Sequence, residues 1–90
     1  MNINFEAALQ YINLGNYERA VEKLNLAIEA AGGDTDEGMQ YRCVLAELYA
    51  NMGIINQSRE EFEKVIEYTE KTNTLAKQRA IARAYLDAFD

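Results

Sequence analysis

The strongest constraint on this chain is that it repeats itself. Setting residues 15–29 over residues 53–67 places Gly15 on Gly53, Leu24 on Phe62, Ala27 on Val65, Ile28 on Ile66 and Glu29 on Glu67. Upstream of each glycine the same 38-residue offset carries Ala8 onto Ala46 and Tyr11 onto Tyr49. Residues of like size recur together, which is the mark of one structural unit stacked on another. A helical pair cannot bury its apolar faces alone, so two such pairs joined by short turns are expected to stack and share one core.

Local signals divide the chain into five helical segments. The absence of proline from all 90 residues leaves glycine and short polar runs as the only breaks. The first segment, about 3–14, carries Ile3, Ala7, Ala8, Tyr11 and Leu14 at helical spacing and stops at Gly15. Asn16 is the expected N-cap of the second, whose stripe is Ala20, Val21, Leu24, Ala27 and Ile28, and Gly32 ends it. Asp34 with Glu37 reads as a capping box for the third, with Tyr41, Val44, Leu45, Leu48, Tyr49 and Met52 as its apolar face and Gly53 as its end. A fourth segment is predicted over about Gln57–Lys71 and a fifth over about Leu75–Phe89. Glu60, Glu61 and Glu63 then fall near a helix start, where the dipole favours acids.

Composition narrows the chemistry. There is no histidine, so the usual general base near neutral pH and the imidazole metal ligand are both missing. The one cysteine, Cys43, forms no internal disulfide and anchors no thiolate metal site, and it suits a reducing, cytoplasmic setting. An enzyme working through Cys43, its thiol acidified by the neighbouring Arg42, is the least favoured reading. No catalytic group, metal or cofactor is expected. The first residues lack the basic start and apolar run of a signal peptide, and no stretch is long enough to span a membrane. A formal charge of −6 opposes nucleic acid binding. The charge is also polarised: Lys71, Lys77, Arg79 and Arg83 occur with no acid among them, whereas residues 1–58 hold eight acids and three bases.

The residues Asn4-x2-Ala7-Ala8-x2-Tyr11 followed by Gly15-Asn16-Tyr17-x2-Ala20-x3-Leu24-x2-Ala27 resemble a unit of the tetratricopeptide repeat family. Arg42-x2-Leu45-Ala46-x2-Tyr49 followed by Gly53-x4-Ser58-x3-Phe62-x2-Val65 resembles a second. Gln78-x2-Ile81-Ala82-x2-Tyr85 repeats the first-helix pattern once more. The tryptophan and the terminal proline of the pattern are absent, and the period exceeds the family's usual one by about four residues, roughly one helical turn. The resemblance implies an all-α, right-handed solenoid in a single domain, 1–90, with one unit at 1–34, a second at 39–72 and a capping helix at 75–90. Small Ala8, Ala46 and Ala82 let helices approach, while Tyr11, Tyr49 and Tyr85 fill the gaps beside them.

In the family the first helix of each unit lines a concave groove that takes a peptide or helix from a partner. Carried over by register, that face includes Phe5, Leu9, Ile12 and Asn13, then Cys43, Glu47 and Asn51, then Arg79 and Arg83. Its apolar start and cationic end suit a protein or peptide segment with some acidic character. The lysine and asparagine of the family's chaperone-tail clamp are replaced by Phe5 and Leu9, which argues against that ligand.

A rival role is structural. The fifth helix carries a stripe about 160° wide on a wheel of 100° per residue, broader than a capping helix needs. Leu75, Leu86 and Phe89 fall at its edge, where a second copy of the chain or further repeats of a longer array would cover them.

Overall fold

The computed structural model describes residues 2–90 as five helices: α1 (Ile3–Asn13), α2 (Tyr17–Ala31), α3 (Asp36–Asn51), α4 (Ile55–Thr72) and α5 (Ala76–Phe89). Connections of three or four residues make each helix run against the one before it. Accordingly Arg59, at the start of α4, reaches Asp90 after the end of α5 at 3.0 Å, and Tyr68, late in α4, donates to Asp36 at the start of α3 at 2.6 Å. Each helix packs chiefly on its sequence neighbours, as stacked units do.

The repeat extends to the turns. Gly15 and Gly53 both adopt left-handed φ, 76° and 78°. In each case the next residue donates back five positions at 2.9 Å, Asn16 to the Tyr11 carbonyl and Ile54 to the Tyr49 carbonyl. The glycine N–H donates to Ile12 in one unit and to Ala50 in the other. This bond pair satisfies the last carbonyls of α1 and α3, and its left-handed φ favours glycine.

Three local expectations are corrected. The cap of α3 is Thr35, whose Oγ1 accepts from the Gly38 N–H at 3.0 Å, while Glu37 instead accepts from the Tyr41 hydroxyl at 2.6 Å. Asp34 thus lies one residue before the cap. α4 begins at Ile55 rather than near Gln57 and has no acid in its first turn. Glu60, Glu61 and Glu63 therefore owe nothing to the dipole; Glu61 is held by Arg42 of α3, with Lys64 at 3.4 Å.

The buried apolar residues form two clusters with α3 between them. Tyr41, Leu45 and Leu48 face Ala8, Ala20, Leu24, Ala27 and Ile28 of the first unit. Met39, Cys43 and Ala46 face Phe62, Val65 and Ala82 on the other side. α3 is buried on two flanks, so apolar residues occur nearly all round it and no single stripe describes it.

Candidate functional site

Ala8, Ala46 and Ala82 are completely buried, so the corresponding line on α1, α3 and α5 is the packed one. Tyr11, Tyr49 and Tyr85 are half-buried beside it. Phe5 stacks on Tyr41 with ring centroids 4.4 Å apart, joining the parallel helices α1 and α3 and leaving Phe5 only partly open. One helical turn further on Leu9 is exposed, and beyond it Ile12, Val44, Glu47, Leu48 and Asn51 line a shallow hollow of about 190 Å³ between α1 and α3. Three of these five, Ile12, Glu47 and Asn51, are register-predicted groove residues. Val44 and Leu48 read in the sequence as core because their stripe serves both the core and the floor of the hollow. Asn13 is exposed at its rim.

Glu47 is the one ionisable group in this hollow. Burial raises its carboxyl above the ordinary range, against the opposing pull of a hydrogen bond from Cys43 and the positive charge of Lys77. Lys77 on α5, which was not among the predicted residues, is thus near enough for its charge to act on Glu47. Cys43 does not belong on the groove face: the residue is 2% exposed and packed in the second cluster, with Sγ donating to Glu47 at 3.9 Å. Burial and the adjacent carboxylate push its thiol up to about 12. Arg42 does nothing to acidify it, since its guanidinium is bound to Glu61 on α4. Burial and a raised thiol pKa both oppose reaction of Cys43 as a thiolate near neutral pH.

On α5, Arg79 is half-buried and makes no ion pair among the described residues, whereas Arg83 pairs with Glu70 of α4 at 2.7 Å. Leu75, Leu86 and Phe89 are half-buried against the second cluster. The Phe89 ring lies 6.3 Å from Phe62 and 6.1 Å from Tyr85, and the Arg59 guanidinium sits over it at 5.6 Å. Much of the stripe's apparent excess is therefore occupied within the chain.

A larger cleft, about 390 Å³, lies on the flank of α3 and α4 and is lined by Asp34, Met39, Arg42, Lys64, Glu67, Tyr68, Lys71 and Thr72. Its cations come from separate places in the chain, so no local motif announces it. Acids offset them, with Glu61 holding both Arg42 and Lys64.

Two helical pairs repeat their turns, the backbone hydrogen bonds that close those turns and their small buried positions. A family model described as tetratricopeptide repeat matches residues 2–34 and 39–72. The chain belongs to the tetratricopeptide repeat family. Comparison with curated proteins and with solved structures finds no match. Tetratricopeptide repeats generally mediate protein–protein interactions and are typically scaffolds rather than enzymes. No helix among the described residues is long and apolar enough to cross a membrane, and they contain no group of three or more acidic or cysteine side chains arranged to hold a metal ion.

Proposed function

We propose that this tetratricopeptide protein is a non-catalytic module that binds a peptide or helix of a partner protein along the face formed by α1, α3 and α5. The observation that carries the reading is the hollow between α1 and α3, where apolar Ile12, Val44 and Leu48 adjoin polar Glu47 and Asn51. Such a mixture accepts an apolar side chain while offering hydrogen bonds that orient the segment carrying it. Leu9 extends the apolar side. On α5, Arg79 and Lys77 make no ion pair among the described residues and supply positive charge toward the far end, which favours an acidic residue in the partner. Arg83 is already engaged by Glu70 and contributes less.

The test is selection from a displayed peptide library, followed by isotope-labelled chemical-shift mapping of the best binder. The expected perturbations fall on Leu9, Ile12, Asn13, Glu47 and Asn51, and the Lys77→Glu, Arg79→Glu variant binds more weakly with a flatter salt dependence. Perturbations confined to the outer sides of α2 and α4 would overturn the reading.

A further inference from the structure

The cleft of about 390 Å³ between α3 and α4 shares no lining residue with the hollow between α1 and α3, and its volume lies in the range of small-ligand sites. What sets it apart is Arg42. Nη1 donates to Glu61, but Nε is buried with no acceptor, and Nη2 makes no hydrogen bond among the described residues. Nη2 lies toward Gly33, where a Cβ would be 3.7 Å from it. In a guanidinium Nε–H and one Nη2–H point the same way and form a fork that takes a carboxylate side-on. On Arg42 that fork is unspent, in a side chain that lines the cleft and is 15% exposed. A carboxylate meets Nη2 first, and a small turn of the guanidinium about its one bond to Glu61 brings Nε to the second oxygen.

Positive charge and apolar surface lie one helical turn apart on both walls. On α3 Met39 precedes Arg42 by one turn, and on α4 Tyr68 lies one turn from Lys64 on one side and from Lys71 on the other. Met39 is buried; Tyr68 is half-buried, and its hydroxyl is committed to Asp36 at 2.6 Å, which fixes the ring as a wall. Lys71 makes no ion pair among the described residues, and Lys64 has only the 3.4 Å contact with Glu61. Asp34 and Glu67 also line the cleft, and neither is ion-paired among the described residues. With a net charge of −6 they disfavour a polyanion, so the free side of Arg42 suits a single carboxylate beside an apolar group. In an extended peptide neighbouring side chains point to opposite sides, so an internal aspartate or glutamate turns its carboxylate away from the next apolar side chain. A C-terminal residue carries both groups on one Cα. We propose that this cleft binds the C-terminal residue of a partner polypeptide. Its apolar side chain lies against Met39 and Tyr68, its carboxylate takes the free side of Arg42 with Lys64 and Lys71 adding charge, and its N–H donates to Asp34 or Glu67. The site is independent of the groove between α1 and α3.

The probes are acetyl-glycyl dipeptides ending in leucine, methionine, phenylalanine or valine, each as free acid and as amide, titrated into the isotope-labelled protein. At least one free acid should saturate below about 10 mM, shifting the Arg42 Nε–H resonance and the amides of Met39, Tyr68 and Lys71. Its amide should bind at least about tenfold more weakly, having lost the charge that the fork recognises. Arg42→Lys keeps a charge for Glu61 but has no fork, and Lys64→Gln, Lys71→Gln removes only exposed cations; each variant should weaken the free acid at least about threefold. Circular dichroism verifies that both are folded. Arg19→Gln removes an exposed cation of α2 outside the cleft and should leave binding unchanged. The proposal is overturned if no free acid saturates, if acids and amides bind alike, or if the shifts fall on Arg79 and Arg83 instead. An amidated peptide with an internal glutamate that binds as well as the free acids overturns it too, as does inorganic phosphate that binds more tightly than they do.

Discussion

Ser58 donates from Oγ to the carbonyl of Ala46 at 2.7 Å, with both residues wholly buried where α4 crosses α3. The first unit has Ala20 and Ala8 at the corresponding positions, equally buried and without a hydroxyl. Size is therefore the shared requirement, and the hydrogen bond is an addition made in one unit. Ser58→Ala should cost about 1 kcal/mol or less, since the Ala46 carbonyl keeps its place in the helix. Ser58→Leu should cost about 1–3 kcal/mol or more by forcing the helices apart. Urea unfolding of both variants decides it, and a larger loss for Ala than for Leu would make the hydrogen bond, not the spacing, the governing feature.

The parts of this fold that were legible are those encoded within a few residues. Gly15, Gly53, Asn16 and the recurring Ala-x2-Tyr spacing each act through the local backbone or through one helix face, so their pattern survives in one dimension. Thr35 was missed because Asp34 beside it has equal capping chemistry, and only the backbone decides which side chain meets the Gly38 N–H. The two-sided burial of α3 was hidden because Met39, Cys43 and Ala46 interleave with Tyr41, Leu45 and Leu48, blurring the stripe. That burial also took Cys43 off the expected groove. Register placed Ile12, Glu47 and Asn51 on one face, and in the structure they line one hollow, whereas the pairing of Arg83 with Glu70 joins helices whose relative rotation no single-helix pattern contains.

Gly38 offers a prediction against the usual rule. Exchanging a helical glycine for alanine ordinarily stabilises by roughly 0.5–1 kcal/mol. Gly38 lies in the first turn of α3, buried, and a methyl there would land on the Gly32 carbonyl oxygen and come within 3.1 Å of Thr35 Oγ1. The obstruction is backbone, which cannot swing aside. Gly38→Ala should therefore destabilise the protein by at least about 1 kcal/mol, in line with the overpacking range, as read from the denaturation midpoint. A stabilised variant would show that the loop from Gly32 to Thr35 shifts freely.

Arg42 and Glu61 tie α3 to α4 with side chains only 15% and 13% exposed. Removing one partner leaves the other charge stranded in poor solvent, so Arg42→Met and Glu61→Met should each cost more than an exposed pair would, about 1–3 kcal/mol. Lys64 lies 3.4 Å from Glu61 and moderates the loss for Arg42→Met. The double variant should lose less than the sum of the two, because no unpaired charge remains. Strict additivity in the thermodynamic cycle would mean that the pair contributes no coupling.

Cys43 and Glu47 link burial to a pH signature. With its thiol at about 12 and its side chain enclosed, Cys43 should resist alkylation by iodoacetamide at mildly alkaline pH in the native protein and react readily in urea. Rapid native labelling would instead show that α3 opens locally. Glu47 has a folded carboxyl raised above its ordinary 4.5, first by burial. Over the interval between the two values the folded state holds a proton that the unfolded state has released. Its stabilising contribution is thus complete below the unfolded value and fades as pH rises through the folded one. Glu47→Gln keeps the shape and removes the titration, so the variant should gain stability over the native chain at neutral pH, and the gain should shrink toward zero as both are acidified. Denaturant midpoints of the two proteins across that interval measure the difference directly, with the remaining carboxylates common to both. A gain that grew toward acid pH would mean that Glu47 is stabilised as the carboxylate, by Lys77 and the Cys43 hydrogen bond, more than burial opposes it.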